Sequence, residues 1–193
     1  MSNLDLPLSI VLGVALAAAT GFRIFLPMLV VSIAANTGHL QLDNNFAWLA
    51  TSPALTTLTA ATIAEILAYY VPAVDNLLDI LAGPAALVAG MVVSAAVMTN
   101  VPPLVKWTAA VIAGGGVAGL TQGITTMLRA KSTILTGGAG NAVISTAELG
   151  GALVVSLLAL AAPLVALGAV ILFLWSAIRL IRQLFRRETR SSS

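Results

Sequence analysis

The sequence predicts an all-α, polytopic membrane protein of about six transmembrane segments, arranged as two inverted three-helix repeats with broken or re-entrant helices. Of its 193 residues, 59% are hydrophobic and 8% are charged, whereas soluble domains carry about 25% charged residues. Apolar runs long enough to cross a bilayer, about 20 residues each, alternate with short polar stretches. The two halves of the chain also resemble each other.

Three segments are predicted in the first half. The first is long for a single span and is interrupted by Arg23 and Pro27. The polar loop 36–53 follows and contains no Lys or Arg, and a turn at residues 71–76 precedes the third segment. The segments cover about residues 6–35, 54–71 and 77–98.

Three more segments are predicted in the second half. Residues 99–103, Thr-Asn-Val-Pro-Pro, form the clearest break in the chain, because proline disrupts a helix interior. A fourth segment covers about residues 104–128, and a basic, glycine-rich loop covers 129–142. The last apolar run, 143–178, is too long for one span, and Pro163 near its middle indicates a helical hairpin.

The basic residues indicate the orientation. Five of the nine Lys and Arg residues are arginines within the last 15 positions, and basic residues concentrate on the cytoplasmic side of membranes. We therefore expect the tail 179–193 to be cytoplasmic, and six spans then place both termini there. On this count the loop 36–53 lies outside, and Arg129 and Lys131 lie inside.

Residues 6–100 and 101–178 are interpreted as two copies of one three-span unit within a single membrane domain, residues 1–193. Glu148 lies 83 positions after Glu65 in this comparison. A unit with an odd number of spans is inverted when it is repeated, as in many secondary transporters. The alternative is chance similarity in a sequence rich in Ala and Gly.

Two stripes of small residues recur 102 positions apart. Small residues at intervals of four let helices approach closely in lipid, so we expect segments one and four to pack together. The stripes are Gly13, Ala17 and Gly21, and then Gly115, Gly119 and Gly123.

Glu65 and Glu148 are the candidate proton or ion sites, because a charge at mid-membrane costs about 2–3 kcal/mol or more. Each follows a hydroxyl residue by three positions, Thr62 and Ser145. That spacing is also the capping box of a helix N-terminus. Helices beginning there would be broken within the segment, as in transporters. Capping, substrate binding and proton transfer all remain open.

Arg23 is the candidate counter-charge. A buried arginine needs a partner, and Glu65 or Glu148 is the nearest kind available in the sequence. An arginine that faces a cavity would favour an anionic substrate or a lipid phosphate. The alternative is a side chain that extends to the membrane interface, with Pro27 marking the end of a short helix.

Three further residues are candidates for substrate or ion binding. Asp75 and Asp79 are four apart and share a helix face, so they could bind a cation, although acids at a helix start are also stabilised by its dipole. Asn141 follows the glycine-rich stretch and could cap the fifth segment. The glycines themselves could expose amides to an anion.

These motifs resemble a family of small bacterial membrane proteins known as domain of unknown function 4126. The resemblance covers about residues 10–185 and implies no activity. It does imply a bacterial inner membrane and places several candidates in the family's motif positions. The motifs lie at residues 21–27, 65–79 and 136–148. The positions are Arg23, Glu65, Asp75, Asp79, Asn141 and Glu148.

The expected function is transport of small solutes or ions, coupled to protons through the paired glutamates. With one His, no Cys and no hydrolase or nucleotide-binding motif, no enzyme activity, cofactor, metal or nucleic-acid partner is expected. The expected partners are the bilayer, the solute and further copies of the chain in a homodimer or larger assembly. Two alternatives are a flippase of a phosphorylated lipid, with a lateral opening beside Arg23, and a non-transporting scaffold, with both glutamates as caps at the water interface.

Overall fold

The computed structural model describes the backbone of residues 5–137 and 139–191, with side chains except at 5, 72, 73, 75–79 and 180–191. The described residues are helical apart from short connections, which confirms the all-α class. The α-helices are α1 (Asp5–Thr20), α2 (Phe25–Asn36), α3 (Ser52–Ala68), α4 (Pro72–Val97), α5 (Pro103–Ala109), α6 (Gly116–Thr136), α7 (Asn141–Ala161) and α8 (Pro163–Ser191). A 3-10 helix covers Asn44–Ala50, and a π-helical stretch, Ala110–Gly115, joins α5 to α6.

Prolines and one glycine determine several helix boundaries. α4, α5 and α8 each begin with a proline, whose fixed φ and missing N–H suit the first turn of a helix. α6 is followed by Gly137, whose φ of +62° is the left-handed conformation common after a helix. The predicted breaks at residues 99–103 and at Pro163 are both present.

α1 and α2 form a helical hairpin, and residues 21–24 are its tip. In the middle of α1, two turns before the tip, a Cβ atom on Gly13 would lie 2.8 Å from Oγ of Ser94, close to the end of α4. Just beyond α2, the amide of Asp43 donates to the carbonyl of Ala96 over 2.8 Å, again close to the end of α4. Because the part of α1 before the tip and the loop after α2 both reach the last turn of α4, α1 and α2 run in opposite directions. The predicted single, interrupted span over 6–35 is therefore wrong.

The bundle has two ends, which we call the Pro102 end, where α4 ends and α5 begins, and the Thr136 end, where α6 ends. α3 begins at the Pro102 end, because Leu58 belongs to the same core cluster as Ala95 of α4 and Ala110. α1, α3, α5–α6 and α8 run toward the Thr136 end, and α2, α4 and α7 return.

α8 runs from the Pro102 end to the Thr136 end of the bundle, so it ends far from the start of α1. Ala166 near its start shares a core cluster with Val97 at the Pro102 end. The ring of Phe173, two turns later, lies 4.9 Å from the ring of Phe22 at the hairpin tip. α1 begins at the Pro102 end and α8 proceeds to the Thr136 end, an arrangement that differs from the expected common side of the two termini. The physical reason is that the α1–α2 hairpin reverses inside the bundle instead of crossing it.

Three helical stretches of the described residues are long and apolar enough to cross a membrane. They are Ile80–Val97, Pro103–Thr136 and Asn141–Ala161. The apolar stretches of α1, α2, α3 and α8 are shorter, at 10–17 residues. These lengths support a membrane protein, but they differ from the six comparable spans that the sequence predicts.

The small-residue stripes pack mainly against α4. Added Cβ atoms on Gly13, Gly115 and Gly119 would lie 2.8, 3.0 and 2.6 Å from α4 side chains. Ala17 between them is fully buried. Close approach is therefore present at the three glycines, and α4 is their partner.

Direct contact between the helices that carry the two stripes occurs at Gly21. A Cβ atom there would collide with the carbonyl of Ala118 and would lie 2.5 Å from Cβ of Thr121, both in α6. Gly123 has nothing within 4 Å of its added Cβ position. Gly123 therefore makes no close approach to another helix of this chain.

Candidate functional site

Arg23 lies at the hairpin tip and inside the bundle, with 1% of its surface exposed. Its Nη2 donates to the carbonyl of Ser145 over 2.9 Å and lies 3.8 Å from Oε2 of Glu148. The position follows from the fold, because the chain reverses between Thr20 and Phe25. The expected pairing of Arg23 with one of the two glutamates is thus present, and its side chain does not extend to an interface.

Glu148 also binds a second arginine, Arg129 of α6. Oε1 accepts a hydrogen bond from Nε over 3.0 Å, and Oε2 contacts Nη2. Such two-point pairing matches the planar guanidinium group. Both side chains are buried, with 2% of Arg129 and 4% of Glu148 exposed. The prediction that Arg129 lies in a loop is wrong, because α6 continues as far as Thr136.

The ring of Tyr69 contacts both arginines. The guanidinium carbon of Arg23 lies 4.0 Å from the ring centroid, and that of Arg129 lies 4.1 Å from it. These are cation–π distances. Tyr69 follows α3 directly and comes four residues after Glu65, so both side chains project to the same side of the helix.

Sequence reasoning did not select Arg129 or Tyr69. One signal for Arg129 was available, namely a polar stripe on α6 with Gln122, Thr125 and Arg129 at intervals of three and four. Residues at this spacing share a helix face, and all three are buried. Nothing in the local sequence distinguishes Tyr69 from an interfacial tyrosine.

Glu65 caps a helix other than its own. Its Oε1 accepts from the amide of Ile24 over 2.8 Å, and its Oε2 accepts from the amide of Phe25 over 3.1 Å. These amides begin α2 and have no partner within the helix. The carboxylate also meets the positive end of the α2 dipole. We call Arg23, Glu65, Tyr69, Arg129 and Glu148 together the hairpin-tip cluster.

Neither of the two predicted capping boxes forms. Thr62 lies inside α3, and its hydroxyl donates to the carbonyl of Leu58 over 2.7 Å. Ser145 and Glu148 lie inside α7, which begins at Asn141. α3 and α7 are therefore continuous at the two acids, and the irregular backbone nearest to them is the hairpin tip.

A cavity of about 360 Å³ adjoins Glu65, between the start of α2 and helices α3 and α4. Glu65 is the charged residue among those that line it. Ile24, Phe25 and Tyr69 line the cavity beside the cluster, and alanines and Leu81 of α3 and α4 line the rest. Leu81 is 59% exposed, so the cavity reaches the side of the bundle between α3 and α4.

The remaining predicted site residues belong to other parts of the fold. Asn141 is the first residue of α7, and its Nδ2 donates to Oγ1 of Thr133 over 2.9 Å. That hydrogen bond joins the start of α7 to the last turn of α6. Asp75 and Asp79 lie near the start of α4, and their side chains are outside the described part of the structure.

Comparison with known proteins gives a family. The search of curated proteins and the search of solved structures found no match. A family model described as Domain of unknown function (DUF4126) matches residues 10–183, and this range includes the whole hairpin-tip cluster. The chain therefore belongs to the DUF4126 family.

Proposed function

We propose that this protein is a membrane transporter of small solutes or ions and that the hairpin-tip cluster is its substrate or ion site. One observation carries the proposal: two arginines and two glutamates are buried together at a helix reversal. Buried ion pairs are weak contributors to stability compared with apolar packing. Ionisable groups inside membrane proteins mark paths for ions, protons and substrates.

The helix directions support an inverted repeat. α2–α4 and α6–α8 are three-helix units of opposite direction, and their middle helices α3 and α7 carry Glu65 and Glu148. Transporters of this design place their sites between the two units. The stripes of α1 and α6 do not support it, because those helices run in the same direction. Assembly into a homodimer or larger oligomer remains a prediction.

The arginine-rich tail supports an orientation in the cell inner membrane. Basic residues favour the cytoplasmic side, and α8 runs toward the Thr136 end, where Lys131 of α6 also lies. Lys106 is then the basic residue at the opposite end. In this orientation the C-terminus is cytoplasmic, and α1 begins on the outer side.

Proton coupling follows from the contacts of the two carboxylates. A charged Glu148 holds the guanidinium group of Arg129, and a charged Glu65 holds the first amides of α2. Protonation of either acid would weaken these contacts and release donors to an anionic substrate. Alternation between these two states would link substrate movement to proton movement.

Flux through purified protein in liposomes tests the proposal. A pH-sensitive dye inside the vesicles reports proton movement when a panel of small anions and cations, beginning with inorganic phosphate, is added outside. We expect Glu65→Gln and Glu148→Gln each to lower proton-coupled flux at least about 100-fold, the lower end of the range typical for an acid–base group. Asp43→Asn, a carboxylate at the Pro102 end, is the control. Unchanged flux in both glutamine variants would refute the assigned role.

A flippase for a phosphorylated lipid is a second candidate. The observation that favours it is the cavity, which is apolar apart from Glu65 and reaches the side of the bundle next to Ile24, the neighbour of Arg23. A lateral opening would admit a lipid chain from the bilayer. Translocation of a fluorescent phosphorylated lipid between the leaflets of the same liposomes distinguishes the two candidates. A scaffold is less well supported, because both glutamates are buried.

A further inference from the structure

We propose that the hairpin tip binds a phosphate-type oxyanion attached to an apolar chain, and that Glu65 occupies this site as a built-in competitor. The inference rests on the second candidate of the proposed function, the flippase of a phosphorylated lipid, and names the substrate class of the same site. The oxyanion would accept hydrogen bonds from the amides of Ile24 and Phe25 and from the free nitrogens of Arg23. The apolar chain would lie in the adjoining cavity.

The first support is the position of the Glu65 carboxylate. Its two oxygens accept from the successive amides of Ile24 and Phe25 at 2.8 and 3.1 Å. Oxyanions bind helix N-termini in this way, because the amides point outward and the dipole favours negative charge. Glu65 therefore shows the geometry that a bound oxyanion would adopt at α2.

The second support is independent of that helix start. Two of the three guanidinium nitrogens of Arg23, Nε and Nη1, are buried and have no hydrogen-bond partner. Buried polar groups are normally paired, and those that are not call for an explanation. The guanidinium group rests on the ring of Tyr69, and Tyr69 lines the cavity. Arg23 itself does not line the cavity, and the ring of Tyr69 connects its guanidinium group to the cavity wall.

The number of donors favours a phosphate over a carboxylate. Two amides and two guanidinium nitrogens offer more N–H groups than the two oxygens of Glu65 engage. A phosphate group presents three strong acceptor oxygens, and arginine suits phosphate because its donors form a planar fork. Replacement of the Glu65 charge by the ligand's charge would also preserve the balance with Arg23 and Arg129.

The apolar lining of the cavity indicates the kind of group that is attached to the phosphate. Its walls beyond Glu65 and Tyr69 are alanines, Leu81 and the α2 residues Ile24 and Phe25. Apolar pockets of this kind bind the hydrophobic part of a ligand, while a few polar groups fix its orientation. A free phosphate ion would leave this surface unused.

Equilibrium binding to the purified full-length chain in detergent tests the inference, with inorganic phosphate and dodecyl phosphate as the probes. We expect dodecyl phosphate to bind at least about tenfold more tightly, a difference of about 1.4 kcal/mol. Glu65→Gln should tighten binding of dodecyl phosphate at least about tenfold, because it removes the competing charge. Arg23→Gln should weaken it by at least the same factor. Arg179→Gln, an exposed arginine on α8, is the matched control and should change nothing.

Each outcome decides between the possibilities. Equal affinity for the two probes would assign a free anion and overturn the role of the apolar chain. Affinities unaffected by Glu65→Gln and Arg23→Gln would overturn the site. If Arg23→Gln fails to fold, Glu65→Gln still decides, because misfolding does not tighten binding. Flux without binding of either probe would overturn this inference alone, whereas the expected binding without any flux would overturn transport.

Discussion

Oε1 of Glu148 lies 3.0 Å from Nε of Arg129, and its Oε2 lies 3.8 Å from Nη2 of Arg23. One carboxylate therefore faces two guanidinium groups, one from α6 and one from the hairpin tip. The positive charges of Arg23 and Arg129 repel each other, and Glu148 together with the ring of Tyr69 offsets that repulsion. These contacts connect the hairpin tip with α3, α6 and α7, so the position of each helix is coupled to that of the others.

Arg129→Gln should lower the free energy of unfolding by about 3–5 kcal/mol, the usual effect of removing one partner from a buried ion pair. The glutamine leaves the charge of Glu148 buried, with Arg23 alone at 3.8 Å. Chemical unfolding in detergent measures the effect.

The double variant Arg129→Gln/Glu148→Gln should recover part of this loss, because no uncompensated carboxylate remains. Arg179→Gln on the exposed face of α8 should stay within about 0.5 kcal/mol of the parent protein. Equal losses in Arg129→Gln and Arg179→Gln would contradict the buried pairing.

Gly21→Ala should destabilise the protein by about 1–3 kcal/mol, the range for overpacking a close contact. Its Cβ atom would collide with the carbonyl of Ala118 and meet Thr121. Gly123→Ala is the matched substitution. It has no neighbour within 4 Å and should add up to about 1 kcal/mol through helix propensity. Thermal unfolding compares the two, and a loss at Gly123 as large as that at Gly21 would argue against this packing.

Tyr69→Leu should destabilise the cluster more than Tyr69→Phe does. Phenylalanine retains the ring that both guanidinium groups contact, whereas leucine removes two cation–π interactions of about 0.5–2 kcal/mol each. The unfolding free energies of the two variants measure the difference. If leucine and phenylalanine prove equivalent, the ring serves only as apolar filling.

A second ion pair joins the loop after α2 to the start of α5. Nζ of Lys106 lies 2.7 Å from Oδ2 of Asp43, and both side chains are largely buried. The hydrogen bond from Lys106 is the main cause that holds the pKa of Asp43 below its usual value. The amide of Asn45 also donates to Asp43. This pair fixes the loop to the Pro102 end.

Asp43→Asn should cost about 1.5–3 kcal/mol at neutral pH, as for a hydrogen bond between charged groups. Because the pKa of Asp43 is lowered by folding, its contribution is complete above the unfolded pKa of about 3.9. It is lost as the pH falls through the lower, folded pKa. The difference in stability between the parent protein and Asp43→Asn should therefore shrink on acidification, and Lys106→Gln should show the same trend. A difference that is the same at pH 7 and at pH 3 would contradict the pairing.

Composition and proline positions were sufficient to predict the helical class and the principal breaks. Proline in a helix interior loses a hydrogen bond, and Pro103 and Pro163 do begin helices, although Pro84 lies inside α4. The pairing of Arg23 with a glutamate could also be predicted, because few partners exist for a charge in so apolar a chain.

The hairpin could not be read from local sequence. Pro27 suggested an interruption within one span, but it lies in the first turn of α2, where its missing N–H has no cost. The reversal itself is at residues 21–24 and depends on Glu65, 41 positions away from Ile24. The hydrophobic pattern of the first segment therefore does not reveal this contact.

Arg129 was misplaced for a related reason. A basic residue near a glycine-rich loop is commonly exposed, and its burial here depends on Glu148 in the next helix and Tyr69 in α3. The capping-box spacing of Glu65 correctly predicted a carboxylate that caps a helix N-terminus. The capped helix, however, is α2 and not α3, which carries Glu65. Such partners are determined by tertiary packing.

The central claim is that α1 and α2 form a hairpin that enters and leaves the bundle at the same end, and this carries Arg23 into the interior. The chain has no cysteine, so single cysteines can be labelled in sealed vesicles with a membrane-impermeant reagent. We expect Leu6→Cys and Gln41→Cys to react from one side of the membrane, and Ala139→Cys from the other. Reaction of Leu6→Cys and Gln41→Cys from opposite sides would show that residues 6–35 cross once, and would contradict the central claim.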